Sequence, residues 1–190
     1  MQNRFILQLA SLLLIVFSHF AMADEYEDTT KVFKAAGESS AFFQNSYAYA
    51  LFPSIGKGGI GIGGAYGDGK VYVDGKVAGK TSMTQLSIGF QLGGQVYSQI
   101  IFMQDKRAFD EFTSGNFEFS AQAAAVAITA AASAQSSTGG GSSAGASGGK
   151  NDASTVSAGY NKGMAVFTVA KGGLMYEAAL AGQKYSYEAN

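Results

Sequence analysis

Glycine and lysine are the residues whose spacing here could do chemistry. Gly56-Lys57-Gly58-Gly59-Ile60-Gly61 fits G-x-G-x-x-G, and Gly64 to Lys70 fits G-x-x-x-x-G-K. In nucleotide sites such patterns lay backbone amides around phosphates, between a strand and the start of a helix. That context is missing. Val71 stands where the second pattern needs a hydroxyl for magnesium, and strand-like residues follow both patterns. Glycines that let a strand bend or a backbone approach closely are the better reading. The sequence therefore predicts no nucleotide site.

Other reactive residue types are scarce. The chain has no cysteine and a single histidine, His19. If the N-terminal segment is removed, as argued below, neither type remains. Ser-His-Asp and Cys-His catalysis and ordinary zinc sites then fall away. The carboxylates are scattered, and adjacent Asp110 and Glu111 would not face one another on a helix. No D-x-D-x-D-G calcium loop occurs. The expectation is a non-enzymatic protein without cofactor or metal. Thirteen basic residues against fourteen acidic ones exclude the strongly basic footprint of nucleic-acid binding.

The N-terminus reads as a signal peptide over residues 1–23. Arg4 precedes an apolar run from Phe5 to Phe20, and Ala21-Met22-Ala23 has the A-x-A form of a cleavage site. The run is shorter than the roughly 20 residues of a bilayer-spanning helix. Cleavage would leave residues 24–190 as one domain in the periplasm, with room for a real core. Lacking cysteine, that domain must rely on packing and sheet hydrogen bonds.

The elements that position the glycines and lysines are mostly strands. Residues 25 to about 45 read as an amphipathic helix capped at Thr29 or Thr30, with Phe33, Ala36, Ser40 and Phe43 on one face. Tyr47 to Phe52 is a short β-prone run ending at Pro53. Gly67-Asp68-Gly69 and Asp74-Gly75 are turn signals. Leu86, Ile88, Phe90, Leu92 and Val96 alternate with Ser87, Gln91 and Gln95, which predicts a strand with its apolar face in the core. Tyr97 to Met103 reads as a buried strand, and Asp105 to Phe112 as a short helix capped by Asp105. Phe117 and Phe119 restart β alternation. The small-residue run Ala121 to Ala134 suits close backbone packing. Residues 136–152 are almost entirely Ser, Gly, Ala and Thr, and predict a flexible loop. Met164 to Ala170, Leu174 to Ala181 and Tyr185 to Tyr187 are further strands, with Lys171-Gly172-Gly173 a turn. The fold class expected is α+β: a bent, glycine-rich antiparallel sheet carrying an N-terminal helix and one or two short helices.

Several motifs resemble the SYLF-domain family. They are Ala50-Leu51-Phe52-Pro53, Lys57-Gly58-Gly59 with Gly61, Gly63 and Gly64, and Tyr66-Gly67-x-Gly69. Gly89-x-Gln91-x-Gly93-Gly94-Gln95 and Phe109-x-x-Phe112-x-x-Gly115-x-Phe117 match it too. So do Tyr160-x-Lys162-Gly163-Met164 and Lys171-Gly172-Gly173-Leu174. The likeness covers roughly residues 30 to 188. It is to secreted bacterial members, called lipid-binding SYLF proteins, which are related to yeast actin-patch proteins. Eukaryotic members bind phosphoinositide membranes, with help from an amphipathic N-terminal helix and basic residues. Here that helix opens instead with Asp24, Glu25, Glu27 and Asp28.

What the resemblance implies is a lipid- or membrane-binding module at the cell envelope, with phospholipid or a membrane surface as its partner. Lys57, Lys162 and Lys171 are its candidate phosphate contacts by motif position and charge. Gly58, Gly59, Gly61, Gly63, Gly64, Gly93, Gly94, Gly172 and Gly173 are its candidate structural glycines. A small outer-membrane β-barrel is one alternative, suited by the signal peptide, the alternating strands and ten tyrosines. Against it stand the alanine run, the absence of tryptophan, a non-aromatic C-terminus, and strands expected to be shorter than the roughly 9–11 residues a crossing needs. An envelope module that binds a protein partner and no lipid is the other alternative.

Overall fold

A computed structural model describes residues 25–60, 62–88, 93–119, 126–128, 159–172, 180 and 182–190. The fold is α+β. Among the described residues eight strands form one sheet: β1 Ala48–Ile60, β2 Ile62–Val73, β3 Lys76–Ile88, β4 Gly93–Met103, β5 Phe117–Glu118, β6 Val126–Ile128, β7 Met164–Gly172 and β8 Gln183–Ala189. Their order across the sheet is β5-β8-β3-β2-β1-β4-β7-β6. Every pairing is antiparallel except β6 with β7. Four helical segments among the described residues accompany it: α1 over residues 25–35, α2 Gly37–Ser40, α3 Phe42–Asn45 and α4 Lys106–Phe112. The expected signal peptide, the Gly/Ser segment 136–152 and most of the run 121–134 lie outside the described residues.

Local chemistry explains most boundaries. Asp74 and Gly75 have φ of 50° and 74°, the left-handed pair that joins β2 to β3 in a two-residue hairpin. Asp105 caps α4, its Oδ1 accepting the Ala108 amide at 2.8 Å. α1 stops at Ala36, which is extended. There the buried Ser39 hydroxyl donates to the Phe33 carbonyl at 2.6 Å and satisfies an acceptor at the helix end.

Two cores result. Inside the curl of the sheet, Phe52, Ile55, Val71, Met83, Ile101, Val166 and Tyr185 pack together, with Ala108 and Phe112 of α4. On the outer face, Tyr26, Phe33 and Ala36 of α1 and Phe42 of α3 cover Leu51, Ile100, Phe102 and Phe167. The Phe42 ring sits 5.0 Å from that of Phe167 and 5.5 Å from that of Phe102.

Several local expectations change. β1 runs through Pro53 instead of ending there. A bulge sets four residues, Phe52 to Ile55, against three on β2, so the missing Pro53 amide breaks no regular ladder. The Pro53 carbonyl accepts the Ser98 hydroxyl at 2.6 Å. Gly67-Asp68-Gly69 is part of β2 and not a turn. Thr29 and Thr30 lie within α1 and cap nothing. Because the helix breaks at Ala36, its buried stripe continues at Ser39 and Phe42 rather than Ser40 and Phe43. β1 to β4 span 13, 12, 13 and 11 residues, longer than their turn signals suggested. The 86–96 alternation divides between β3 and β4, which flank the β1–β2 pair. Its described apolar members point outward: Leu86 is 85% exposed and Val96 42%, while Gln85 is only 8% exposed. Lys171 and Gly172 belong to β7, so no turn begins at Lys171.

Three glycines make the curl possible. A Cβ on Gly67 would lie 2.6 Å from Ile55 Cγ1 and 2.9 Å from the Ser54 carbonyl. One on Gly69 would lie 2.7 Å from the Phe52 ring, and one on Gly79 would strike the Tyr187 ring. Large side chains thus lie across a neighbouring bare backbone inside the curl. Gly69→Ala should lower stability by about 1–3 kcal/mol, the usual cost of overpacking. Gly58→Ala, whose Cβ would meet nothing within 4 Å, should change it by less than about 0.5 kcal/mol. Urea unfolding of the two variants checks the contrast.

Candidate functional site

The carboxylates of α4 are spent on its own surface. Lys106 pairs with Asp110 at 2.7 Å and Arg107 with Glu111 at 3.2 Å, each one helical turn apart and exposed. Among the described residues no group of three or more His, Cys, Asp or Glu side chains is placed to hold a metal. The interior carries amides and hydroxyls. Gln99 of β4 donates from Nε2 to Tyr185 Oη at 2.7 Å and to Gln183 Oε1 at 3.2 Å. Tyr185 donates to Gln183 Oε1 at 2.5 Å, and Gln183 donates to Tyr97 Oη at 3.3 Å. All four side chains are buried. Burial pushes the Tyr185 hydroxyl well above its ordinary pKa and that of Tyr97 to about 12, so both stay neutral hydrogen-bonding groups. Gln99 Oε1 and Thr168 Oγ1, on residues paired across β4 and β7, have no partner among the described residues.

The three candidate lysines are not gathered into one site. Lys162 sits in a tight turn before β7, with φ of 51°, followed by Gly163 at 84°. Asn161 and Met164 close that turn with mutual backbone bonds of 2.8 and 3.0 Å. The Lys162 carbonyl accepts from Arg107 Nη2 at 3.2 Å. Lys171 lies at the far end of β7, about 25 Å away at the rise of a strand. Lys57 is in β1, paired across the sheet with Ala65 and Gln95. It makes no salt bridge among the described residues.

Lys171 is engaged by the chain itself. Its Nζ lies 2.9 Å from Glu25 Oε1 and 3.0 Å from Ser54 Oγ, and Ser54 Oγ donates to the same Glu25 oxygen at 2.6 Å. This contact fastens the first turn of α1 to β1 and β7. A shallow groove beside it is lined by Asp28 and Val32 of α1 and by Ser98 and Val169 of the sheet. The sequence offered no sign of the pairing, since the partners are 146 positions apart.

Of the glycines singled out by motif, Gly58, Gly59, Gly63, Gly64, Gly93, Gly94 and Gly172 lie in strands β1, β2, β4 and β7. Gly61 and Gly173 are outside the described residues. A Cβ on Gly58 would meet nothing within 4 Å. On Gly64 and Gly94 it would meet only backbone carbonyls, at 3.4 and 3.8 Å. Together with Gly56 these positions form a bare strip on the outer face, bordered by Leu86, Tyr66 and Val96. Motif reading did not select those three apolar residues as a surface. The signal available was the complete lack of charge from Thr81 to Gln104.

The Ser54 hydroxyl and Lys171 hold the Glu25 carboxyl below its ordinary pKa of 4.5. A depressed carboxylate pKa adds stability above the unfolded value, and that stability is lost as pH falls through the folded value. Glu25→Gln should therefore cost up to about 1 kcal/mol at pH 7, since the pair is partly exposed and screened. The difference from the parent should close as pH falls below 4.5. Urea unfolding at pH 7 and at acid pH checks it.

Two comparisons bear on what this fold is. The sequence model of the Ysc84 family, described as "Las17-binding protein actin regulator", matches residues 84–189. That is more than half of the chain, running from within β3 to the end of β8. The chain is also similar to "Beta cell expansion factor A" of Aeromonas veronii, 28% identical over 157 residues. The match covers 82% of this chain and 51% of that protein, so the chain spans about half the length of the relative. With β4, α4, β7 and β8 all inside the matched region, this chain belongs to the Ysc84, or SYLF, family.

Proposed function

We propose that this protein is a non-enzymatic lipid- or membrane-binding module of the bacterial cell envelope. In this reading residues 1–23 direct its export, and the remaining domain works in the periplasm. Family membership is the observation that carries the proposal, because the SYLF family supports a module of lipid-binding type. The structure adds a compatible surface: three large apolar side chains stand in water within or beside the matched region. A protein partner is the second reading, favoured by the family description, which names a protein ligand. The β-barrel reading gains little support. A transmembrane barrel turns apolar side chains outward to lipid, whereas here the larger core lies inside the curl and α1 to α3 cover part of the outside.

The test is to recover the protein from the producing cells without detergent, read its N-terminus by mass spectrometry, and extract it with organic solvent. The same sample is floated with vesicles of phosphatidylcholine, with and without phosphatidylglycerol. The proposal expects an N-terminus at Asp24 and either a retained lipid or flotation. A folded protein with neither would end the lipid reading and leave the protein-partner one.

A further inference from the structure

Among the described residues, the outer face of the sheet is covered at one end only. Helix α1 begins beside Ser54, Asp68 and Lys171, where Glu25 bonds Ser54 and Lys171 and the Tyr26 hydroxyl reaches the Asp68 carbonyl. Beyond that level no described residue outside the sheet packs on the strands β3, β2, β1 and β4 at Tyr66, Leu86 and Val96, which are exposed. Two adjacent rows of residues make up this surface. Thr84, Tyr66, Gly56 and Val96 are paired across the four strands, and so are Leu86, Gly64, Gly58 and Gly94. Alternation along each strand puts both rows on one face, and the row between them, Gln85, Ala65, Lys57 and Gln95, on the other. Leu86 is 85% exposed, Tyr66 54% and Val96 42%.

The fold does not need this surface to be as it is. Gly56 and Gly58 have open space where a Cβ would stand, in contrast to Gly67, Gly69 and Gly79 inside the curl. Nor is the sequence at this end that of a solvated rim. From Ser46 to Gly67 the only charge is Lys57, and from Thr81 to Gln104 there is none. The cations sit at its margin. Lys184, 3.6 Å from Glu118, extends the Tyr66 row on β8, and Lys171, paired with Glu25, stands beside Val96, while Lys57 lies one row further on the opposite face. From the Tyr66 row to the last paired residues, Ile60 and Ile62, is about 13 Å at the rise of a strand.

We propose that this glycine-rich end of the sheet is the surface that docks onto an anionic lipid bilayer, with Leu86 and Val96 entering the interface and Tyr66, Lys171 and Lys184 at headgroup level. The nearest acid in its strands is Asp68 of β2, which accepts the Tyr66 hydroxyl at 2.6 Å on the α1 side of that row; beyond it, an apolar end edged by a tyrosine and by lysines is complementary to such a bilayer in both polarity and charge. Helix α1 does not serve this role while folded, because its apolar residues Tyr26, Phe33 and Ala36 are buried on the sheet. The inference rests on the lipid-binding reading above and adds its location.

The chain has no tryptophan, so one indole reports one site. Leu86→Trp, and Val32→Trp on the exposed side of α1 as a control, are mixed with phosphatidylglycerol–phosphatidylcholine vesicles. The inference expects a blue shift and quenching by brominated lipid for Leu86→Trp and neither for Val32→Trp. It also expects Leu86→Asp, with unchanged unfolding, to lower vesicle affinity on the order of tenfold, the loss from withdrawing one leucine from an apolar phase. If the parent floats while the indole at position 86 stays in water and Leu86→Asp floats equally, the location is overturned and the lipid reading survives. If the parent floats with no vesicle, both fall.

Discussion

Gln99 on β4 meets Gln183 and Tyr185 on β8 although three strands separate β4 from β8 in the sheet. Their contact is possible only because the sheet curls until its two sides touch. Amides and hydroxyls placed in an apolar interior must find partners there, since each one left alone costs about 1–3 kcal/mol. The Gln99–Gln183–Tyr185–Tyr97 bonds therefore work as a directional closure. Apolar contacts such as Phe52 with Tyr185 would tolerate sliding, but these directional bonds form in one register, with Gln99 Oε1 left without a partner among the described residues. The curl in turn requires backbone without side chains at Gly67, Gly69 and Gly79, over which Ile55, Phe52 and Tyr187 lie.

Glycine consequently has two roles in one sheet. On the inner face it is a steric requirement of the fold. On the outer face, at Gly56 and Gly58, the fold makes no such demand, and the strip beside Leu86, Tyr66 and Val96 has open space over it. The covering helix reinforces the division. α1 is fastened by its buried aromatic stripe and by the Glu25–Ser54–Lys171 contact, so its apolar face contributes to the second core. That assignment differs from the one a family resemblance first suggests, in which an N-terminal helix and loose lysines meet the membrane.

Much of the architecture was legible in the sequence. Asp74-Gly75 marked its hairpin because only left-handed backbone closes a two-residue turn. Asp105 marked its helix, and Tyr97 to Met103, apolar but for Ser98 and Gln99, marked a buried strand. The direction of the β3 alternation was not legible. A period of two shows that two faces differ but does not say which is inward, and a polar interior reverses the usual assignment. Gln85, Gln99 and Gln183 are buried while Leu86 is not. Pro53 misled for a related reason, since a bulge absorbs the amide it lacks. The engagement of Lys171 by Glu25 was invisible because it joins distant parts of the chain, and the three lysines chosen by motif stand in separate places.

The most direct test of the membrane-docking account is hydrogen–deuterium exchange of the whole protein with and without phosphatidylglycerol-containing vesicles, resolved by peptide. The account predicts slower exchange on vesicles in segments 56–66 and 84–97, with α1 unchanged. Protection confined to residues 25–45, or to the Lys162 turn, would contradict it.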